Sequence, residues 1–517
     1  MKHFLLVLLA SSAFAQSATN RTVAHIDTYQ PPVFTDADRL KKLEAAFPVV
    51  EKLFRQQAET SHYPGLAFGI VVDGKLVYSG GVGYTDVAKK TPATPKSLFR
   101  IASMTKSLTT MAILTLRDAG KLRLDDPAET YIPELKAHKY LTADAPRITV
   151  RNLMTHSAGF PEDNPWGDRQ LADSEADLTN LIKAGISNSN VPSFAYEYSN
   201  LGFALLGRII TVVSGKPYQQ YITEMILKPL GMNDTQWEYT RVPAEKLAHG
   251  YRWQDDNWLE ETLLHDGSHG AMGGLITSVD DFSKYVALHQ SAWPPRSEVD
   301  SGPVKRSSLR EMQQLWTFGS LLPQAKASNG QPCPTVSGYG YGLRWSKNCL
   351  DQVSVGHSGG LPGFGSQWRI LTDYGIGIIA YANLTYSPNL GNVTTAALDT
   401  MVAIGKLQPR KLPVSTILTQ RKAQLVNLFP GWTNAEQSGI FAENFFPDKS
   451  VAIRRKAVQD LIAKVGSIQR VGDLIPENQL RGHFLLECQQ GYIDVFFTLT
   501  PESPALIQQL DFREVGK

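Results

Sequence analysis

Two apolar runs, residues 68–72 and 75–78, are separated by the single pair Asp73-Gly74, the clearest hairpin pattern in the chain. Asp-Gly tolerates the left-handed backbone that a two-residue turn demands, so an antiparallel sheet is expected to begin here. Residues 107–116 carry no charge on any face, which predicts a helix buried in a large core, and Gly120 is placed to end it. A second helical run spans residues 201–213. Farther on, residues 352–355 and 367–371 read as strands, residues 370–371 with 376–381 as another hairpin, and residues 394–404 as helix. Strands at both ends of a helical middle predict an α/β (α+β) sandwich, an antiparallel sheet flanked by helices, beside an all-helical region.

Over residues 406–416 the composition turns to Pro and basic residues, which predicts a linker. Beyond it, residues 435–439 and 451–465 read as helix, and 484–488 and 493–499 as strand. A small α+β domain is therefore expected over residues 417–517, a size common for one domain. Nothing in it forms a catalytic set, so binding, assembly and stabilisation are the roles open to it. At the other end, residues 1–15 combine basic Lys2, an apolar stretch over residues 4–9 and the small-residue close Ala13-Phe14-Ala15, which reads as a cleavable signal peptide. The principal domain is then expected over residues 16–405, in the periplasm or outside the cell. No cysteine stands near the cleavage point to carry a lipid, and no other apolar run reaches the roughly 18–20 residues of a spanning helix.

Net charge is +2 with both signs mixed along the 517 residues, which argues against a nucleic-acid surface or a polybasic membrane anchor. A small-molecule or short-peptide substrate, cell-wall peptide included, fits that balance better. Of the three cysteines, Cys333 and Cys349 flank residues 339–345 and can bridge in an oxidising compartment, while Cys488 sits in a strand-like stretch.

Candidate chemistry starts at Ser103-Met104-Thr105-Lys106, at the head of the uncharged helical run. Residues three apart share a helix face, so the Lys106 amine can take the Ser103 proton. The positive end of the helix dipole disfavours a protonated lysine and favours a developing alkoxide. Tyr198-Ser199-Asn200 brings a phenol and an amide to the mouth of the next helix, where both can share protons with a nearby base. His357-Ser358-Gly359-Gly360 follows a strand, and its glycines let backbone N–H groups approach a ligand.

Ser-x-x-Lys, Tyr-x-Asn and His-x-Gly in this order resemble the serine β-lactamase and penicillin-binding-protein superfamily, in the branch of class C β-lactamases, D-alanyl-D-alanine carboxypeptidases, D-aminopeptidases and esterases. Similar stretches at residues 153–159, 231–235, 273–278 and 341–345 extend the resemblance from about Phe47 to about Gly405. The resemblance implies an acyl-enzyme on Ser103 with Lys106 as base, Tyr198 relaying the proton to the leaving group and Asn200 orienting Lys106 and a substrate amide. It places the oxyanion between the N–H groups of Ser103 and Gly360, with Ser358 and Gly359 along the substrate. It requires no metal or organic cofactor. His357 stands where β-lactamases usually carry lysine, and a mostly neutral imidazole serves as donor or relay rather than as a fixed cation. A D-amino-acid peptide, an amide or an ester is thus the expected substrate, ahead of a lactam. The alternatives are a β-lactamase, a slow-turnover penicillin sensor and an inactive scaffold.

Three rival readings of individual residues compete with these assignments. Residues 356–360 also spell Gly-x-Ser-x-Gly, but a nucleophile elbow needs a helix next, and Leu361-Pro362-Gly363-Phe364-Gly365 is poor helix material. His265 and His269, four apart with Asp266 between, have metal-ligand spacing, yet Gly267 and Gly270 indicate a loop. His156 reads as a structural residue near the cleft. The loops at residues 164–177 and 240–270 are expected to set substrate choice.

Overall fold

Asp73 and Gly74 both adopt left-handed backbone, with φ of 49° and 78°, the pair of conformations that a type I′ turn needs. They join β1 (Gly65–Val72) to β2 (Lys75–Asp86) with Val72 opposite Lys75, as the apolar-polar pattern predicts. The computed structural model describes residues 28–327 and 329–516, so the expected signal peptide lies outside the described residues.

The sheet continues with β3 (Thr91–Pro92), β4 (Thr317–Leu322), β5 (Thr335–Tyr339), β6 (Arg344–Lys347), β7 (Val353–Leu361), β8 (Phe364–Leu371) and β9 (Ile376–Ala382). Its nine strands lie in the order β3-β2-β1-β9-β8-β7-β6-β5-β4, and every pairing is antiparallel. Of the helices α1 (Phe47–Thr60), α2 (Thr105–Asp118), α3 (Asn200–Ser214), α4 (Val279–Ser291) and α5 (Leu390–Gly405), α1, α4 and α5 cover its faces. β1 is buried along its whole length because both faces are covered, which is why it reads as an unbroken apolar run. Leu66, Phe68 and Ile70 pack with Phe54 of α1 and Met401 of α5 on one face. Ala67 and Val71 pack with Phe282 and Val286 of α4 on the other.

Beside this sandwich, α2 packs against α3 in a helical region. Residues 107–116 of α2 are all buried, which explains the absence of charge there. Gly120 ends α2 with φ of 71°, its N–H donating to Arg117 O (2.8 Å) and that of Lys121 to Leu116 O (3.0 Å), a Schellman motif. Cys333 and Cys349 form a disulfide, Cα–Cα 5.1 Å, and Cys488 is free and buried. No described helix is long and apolar enough to cross a membrane.

The described chain divides into two compact units, residues 31–411 and residues 412–516 with 28–30. The second has its own core, with α6 (Thr416–Leu428) and α7 (Val451–Val465) packed on a five-stranded sheet formed by β10 (Ile468–Val471), β11 (Ile475–Asn478), β12 (Arg481–Cys488), β13 (Tyr492–Leu499) and β14 (Ile507–Val515). Two expectations here need correction. Residues 435–439 form turns rather than helix, because Trp432, Asn434 and Gly439 all take positive φ. Helix α6 starts inside the expected linker, where the Ser415 hydroxyl caps it by accepting the Leu418 N–H (3.3 Å).

Candidate active site

Ser103 lies in the 3₁₀ turn Ala102–Met104 that runs directly into α2. Ala102, just before it, is held at φ of 49°, a left-handed conformation that costs a Cβ-bearing residue about 1–2 kcal/mol. Neighbouring elements impose it. The Ile101 N–H donates to Leu275 O (2.9 Å), and Ile101 O accepts the Ser366 hydroxyl of β8 (2.6 Å). Gly359 of β7 presses on the same turn, and a Cβ there would stand 2.2 Å from Ile101 O. The nucleophile candidate is thus clamped from both sides.

Lys106 Nζ sits 2.9 Å from Ser103 Oγ, 2.6 Å from Asn200 Oδ1 and 2.8 Å from Met272 O. Asn200 turns its Oδ1 to the lysine because its Nδ2 donates to Asn164 Oδ1 (3.1 Å). Lys106 is fully buried, and desolvation pulls its pKa down to about 7 against the opposing pull of Asp168 and Asp163. A neutral amine has two N–H bonds and one lone pair. Both hydrogens go to the pure acceptors Asn200 Oδ1 and Met272 O, so the lone pair is left for the Ser103 proton.

Tyr198 stands over this pair, its ring centroid 5.0 Å from Lys106 Nζ and its phenol interacting with Ser103. Burial raises its pKa far above the ordinary phenol value. In the resting site it is a proton donor and not a base. Helix α3 is capped by Ser199, whose hydroxyl accepts the Gly202 N–H (3.2 Å), and by Asp163, which accepts the Asn200 and Leu201 N–H groups (2.6 and 2.9 Å).

β6 begins at Arg344, opposite Gly356, so β7 beyond Gly356 has no strand beside it on that flank. Ser358, Gly359 and Gly360 of that stretch line a cavity of about 360 Å³ with Ser103, Tyr198, Arg344 and Asp168. Gly356 to Gly360 is strand throughout, and β8 follows it, so the strand–turn–helix of a nucleophile elbow is absent here.

His357 departs from expectation. It is fully buried, Nδ1 donates to Ser358 O, and Nε2 accepts the Tyr339 hydroxyl (2.7 Å). Burial drives its pKa well below the ordinary value, with Arg344 and Lys106 adding to the effect. Neither nitrogen is left for a substrate, and the ring centroid is 6.4 Å from that of Tyr198. His357 anchors the strand rather than lining the cavity. His156, as expected, is structural: its Nδ1 accepts the Ser199 N–H (3.1 Å) and its ring packs on Tyr198. His265 pairs with Glu238 (3.1 Å), His269 is buried, and no group of three metal ligands forms among the described residues.

Two charged residues of the cavity escaped the sequence reading. Arg344, whose guanidinium lies 5.6 Å from the Tyr198 ring centroid, brings the cation that His357 does not. Asp168 is buried beside Tyr386, and desolvation raises its pKa to about 6 against the pull of Lys106. Arg344 belongs to the quoted stretch 341–345 and Asp168 to the loop 164–177, but no spacing rule marks either one.

A nine-stranded antiparallel sheet, flanking helices and a serine–lysine pair at the foot of a helix define the β-lactamase/transpeptidase class of fold. A β-lactamase family profile matches residues 50–400. The chain belongs to the β-lactamase family, whose members are generally serine hydrolases. Protein flp of Staphylococcus aureus (strain N315) is 29% identical over 380 residues, 72% of this chain and 70% of that protein. Unguisins hydrolase ungD' of Aspergillus campestris is 25% identical over 65% of this chain and 62% of its own length. Among solved structures, the octameric penicillin-binding protein homologue from Pyrococcus abyssi matches 88% of this chain and 90% of its own at 23% identity and TM-score 0.55. A D-stereospecific amidohydrolase from Streptomyces sp. matches 69% and 98% at 22% identity and TM-score 0.52. These two likenesses concern the fold.

Proposed function

We propose that the protein is a secreted serine hydrolase working through an acyl-enzyme on a D-amino-acid peptide or amide, or on a carboxylic ester. The observation that carries this reading is the hydrogen-bond arrangement of Lys106, which leaves a neutral amine lone pair on the Ser103 hydroxyl. Ser103 Oγ attacks the carbonyl carbon while its proton passes to Lys106 Nζ. The oxyanion sits between the N–H groups of Ser103 and Gly360, a contribution of roughly 3 kcal/mol per donor in comparable sites. Tyr198, protonated at rest, gives its proton to the leaving group and recovers one from Lys106. Water then repeats the sequence on the ester of Ser103 and releases the acid.

A β-lactamase or a slow-turnover penicillin-binding protein is the second reading. Arg344 favours it, since the cleft holds a permanent cation able to meet a substrate carboxylate. The same cation ranks carboxylate-bearing peptides ahead of neutral esters. The Cys333–Cys349 bridge is in keeping with an exported protein.

Nitrocefin, D-alanyl-D-alanine peptides, D-amino-acid amides and short-chain esters, offered to wild type and to Ser103→Ala, test both readings. Steady turnover of a peptide, amide or ester that is lost in Ser103→Ala is the expected result. A stoichiometric burst without turnover selects the sensor. Absence of fluorophosphonate labelling at Ser103 refutes the hydrolase.

A further inference from the structure

A second groove leaves the catalytic cavity at Arg344 and crosses the outer face of the sheet. Ser320, Ser337, Ser346 and Ser354 stand in register across β4, β5, β6 and β7, a row of hydroxyls on four neighbouring strands. All four are half-buried. One step along the strands, Arg344, Gly356 and Arg369 are likewise in register across β6, β7 and β8. Two cavities of about 360 and 330 Å³ share Ser346, Ser354 and Arg369, and the first also shares Arg344 with the cavity of Ser103. Arg344 therefore borders both the cavity of the catalytic serine and the groove, which reaches the flank of α5.

Charge distinguishes this face from an ordinary solvated sheet. Arg369 donates to the Thr395 hydroxyl (2.7 Å), but among the described residues neither it nor Arg344 forms an ion pair with a carboxylate. Arg369 instead feels Arg344 as a like charge, and Asp399 is the acid that acts on it at a distance. Two unneutralised guanidinium groups beside a row of small hydroxyls make a donor-rich channel suited to carboxylates. Strands lie about 4.8 Å apart, so Arg344 and Arg369, two strands apart, are spaced by roughly 10 Å, the reach of about three extended residues.

We propose that this groove is an extended substrate subsite for an acidic peptide, whose chain leaves the catalytic cleft past Arg344 and places a carboxylate on Arg369. The proposal rests on the reading of Ser103 as the reactive residue, and it adds a substrate class: peptides with an acidic residue about three positions beyond the residue that passes Arg344.

Paired peptides differing only by Glu or Gln at that position, built on the acyl side in one series and on the leaving-group side in the other, test it. In one series kcat/KM is expected to favour Glu by about tenfold, the weight of a charge-assisted hydrogen bond. That ratio should fall to about one in Arg369→Gln and in Ser354→Asp; the second keeps Arg369 and its Thr395 bond while setting a like charge against the ligand. Because the ratio is internal to each variant, a general loss of folded protein does not change it. Calorimetric binding of the same pairs to Ser103→Ala reads the groove without turnover. Equal affinity for Glu and Gln peptides in both series overturns the proposal even if Ser103 is reactive. A Glu preference in binding without Ser103-dependent turnover overturns the hydrolase reading and leaves the groove standing.

Discussion

Burial decides the proton inventory of the cleft. Lys106, held near pKa 7 by desolvation, must be neutral to act, so kcat/KM should rise about tenfold per pH unit below 7 and level off above it. Asp168 opposes that desolvation by favouring the charged lysine. Asp168→Asn should accordingly move the acid limb of the pH–rate profile to lower pH, and an unmoved limb would show that the carboxylate does not act on Lys106. Tyr339→Phe removes the proton donated to His357 Nε2 and should cost about 1–3 kcal/mol in denaturant unfolding, with the limb unmoved. Ser103, Lys106, Tyr198 and Asn200 were legible in the sequence because each lies in a short motif whose spacing carries geometry. Arg344 and Asp168 were not, because their importance comes from the charges around them, no carboxylate partner for Arg344 and the Lys106 amine for Asp168, a property of distant segments brought together. His357 shows the opposite failure: its motif is easily read, but the strand turns the ring into the interior.

Among the elements, two glycines separate strain from collision. At Gly120 a Cβ meets nothing within 4 Å, so Gly120→Ala should cost only the left-handed penalty, about 1–2 kcal/mol, with activity per folded molecule kept. At Gly359 a Cβ meets the backbone oxygen of Ile101 at 2.2 Å, and relief displaces the turn that carries Ser103. Gly359→Ala should lower kcat by about 10²-fold, measured beside a circular-dichroism check of folding. The Asp73-Gly74 hairpin and helix α2 could be read from the sequence because local preference and tertiary burial agree there. Residues 435–439 misled because their composition is compatible with helix while the left-handed residues around them are fixed by packing of Trp432, a long-range cause.

For the molecule as a whole, separate cores on either side of Lys411 and Leu412 predict two unfolding transitions in calorimetry, of which a Ser103-directed phosphonate should raise one. Acid should weaken the first unit. Burial lowers the pKa of His289 to about 3 and that of His269 to about 4, against about 6.5 in an unfolded chain. The unfolded state takes up those protons first, so stability is full above about pH 6.5 and declines as pH falls toward 4 and 3. Urea midpoints at pH 7.5, 5.5 and 4.5 check the slope. The end of β7 that lacks a neighbour also bears on which polymers the protein can handle. Main-chain groups left open on a strand normally invite other chains to associate, but here they lie recessed in a slot bounded by Tyr198, Arg344 and the Ser103 turn. Such a recess has room for an extended segment but not for a folded surface, so on the hydrolase reading proposed above native globular proteins should pass unbound while short linear substrates enter.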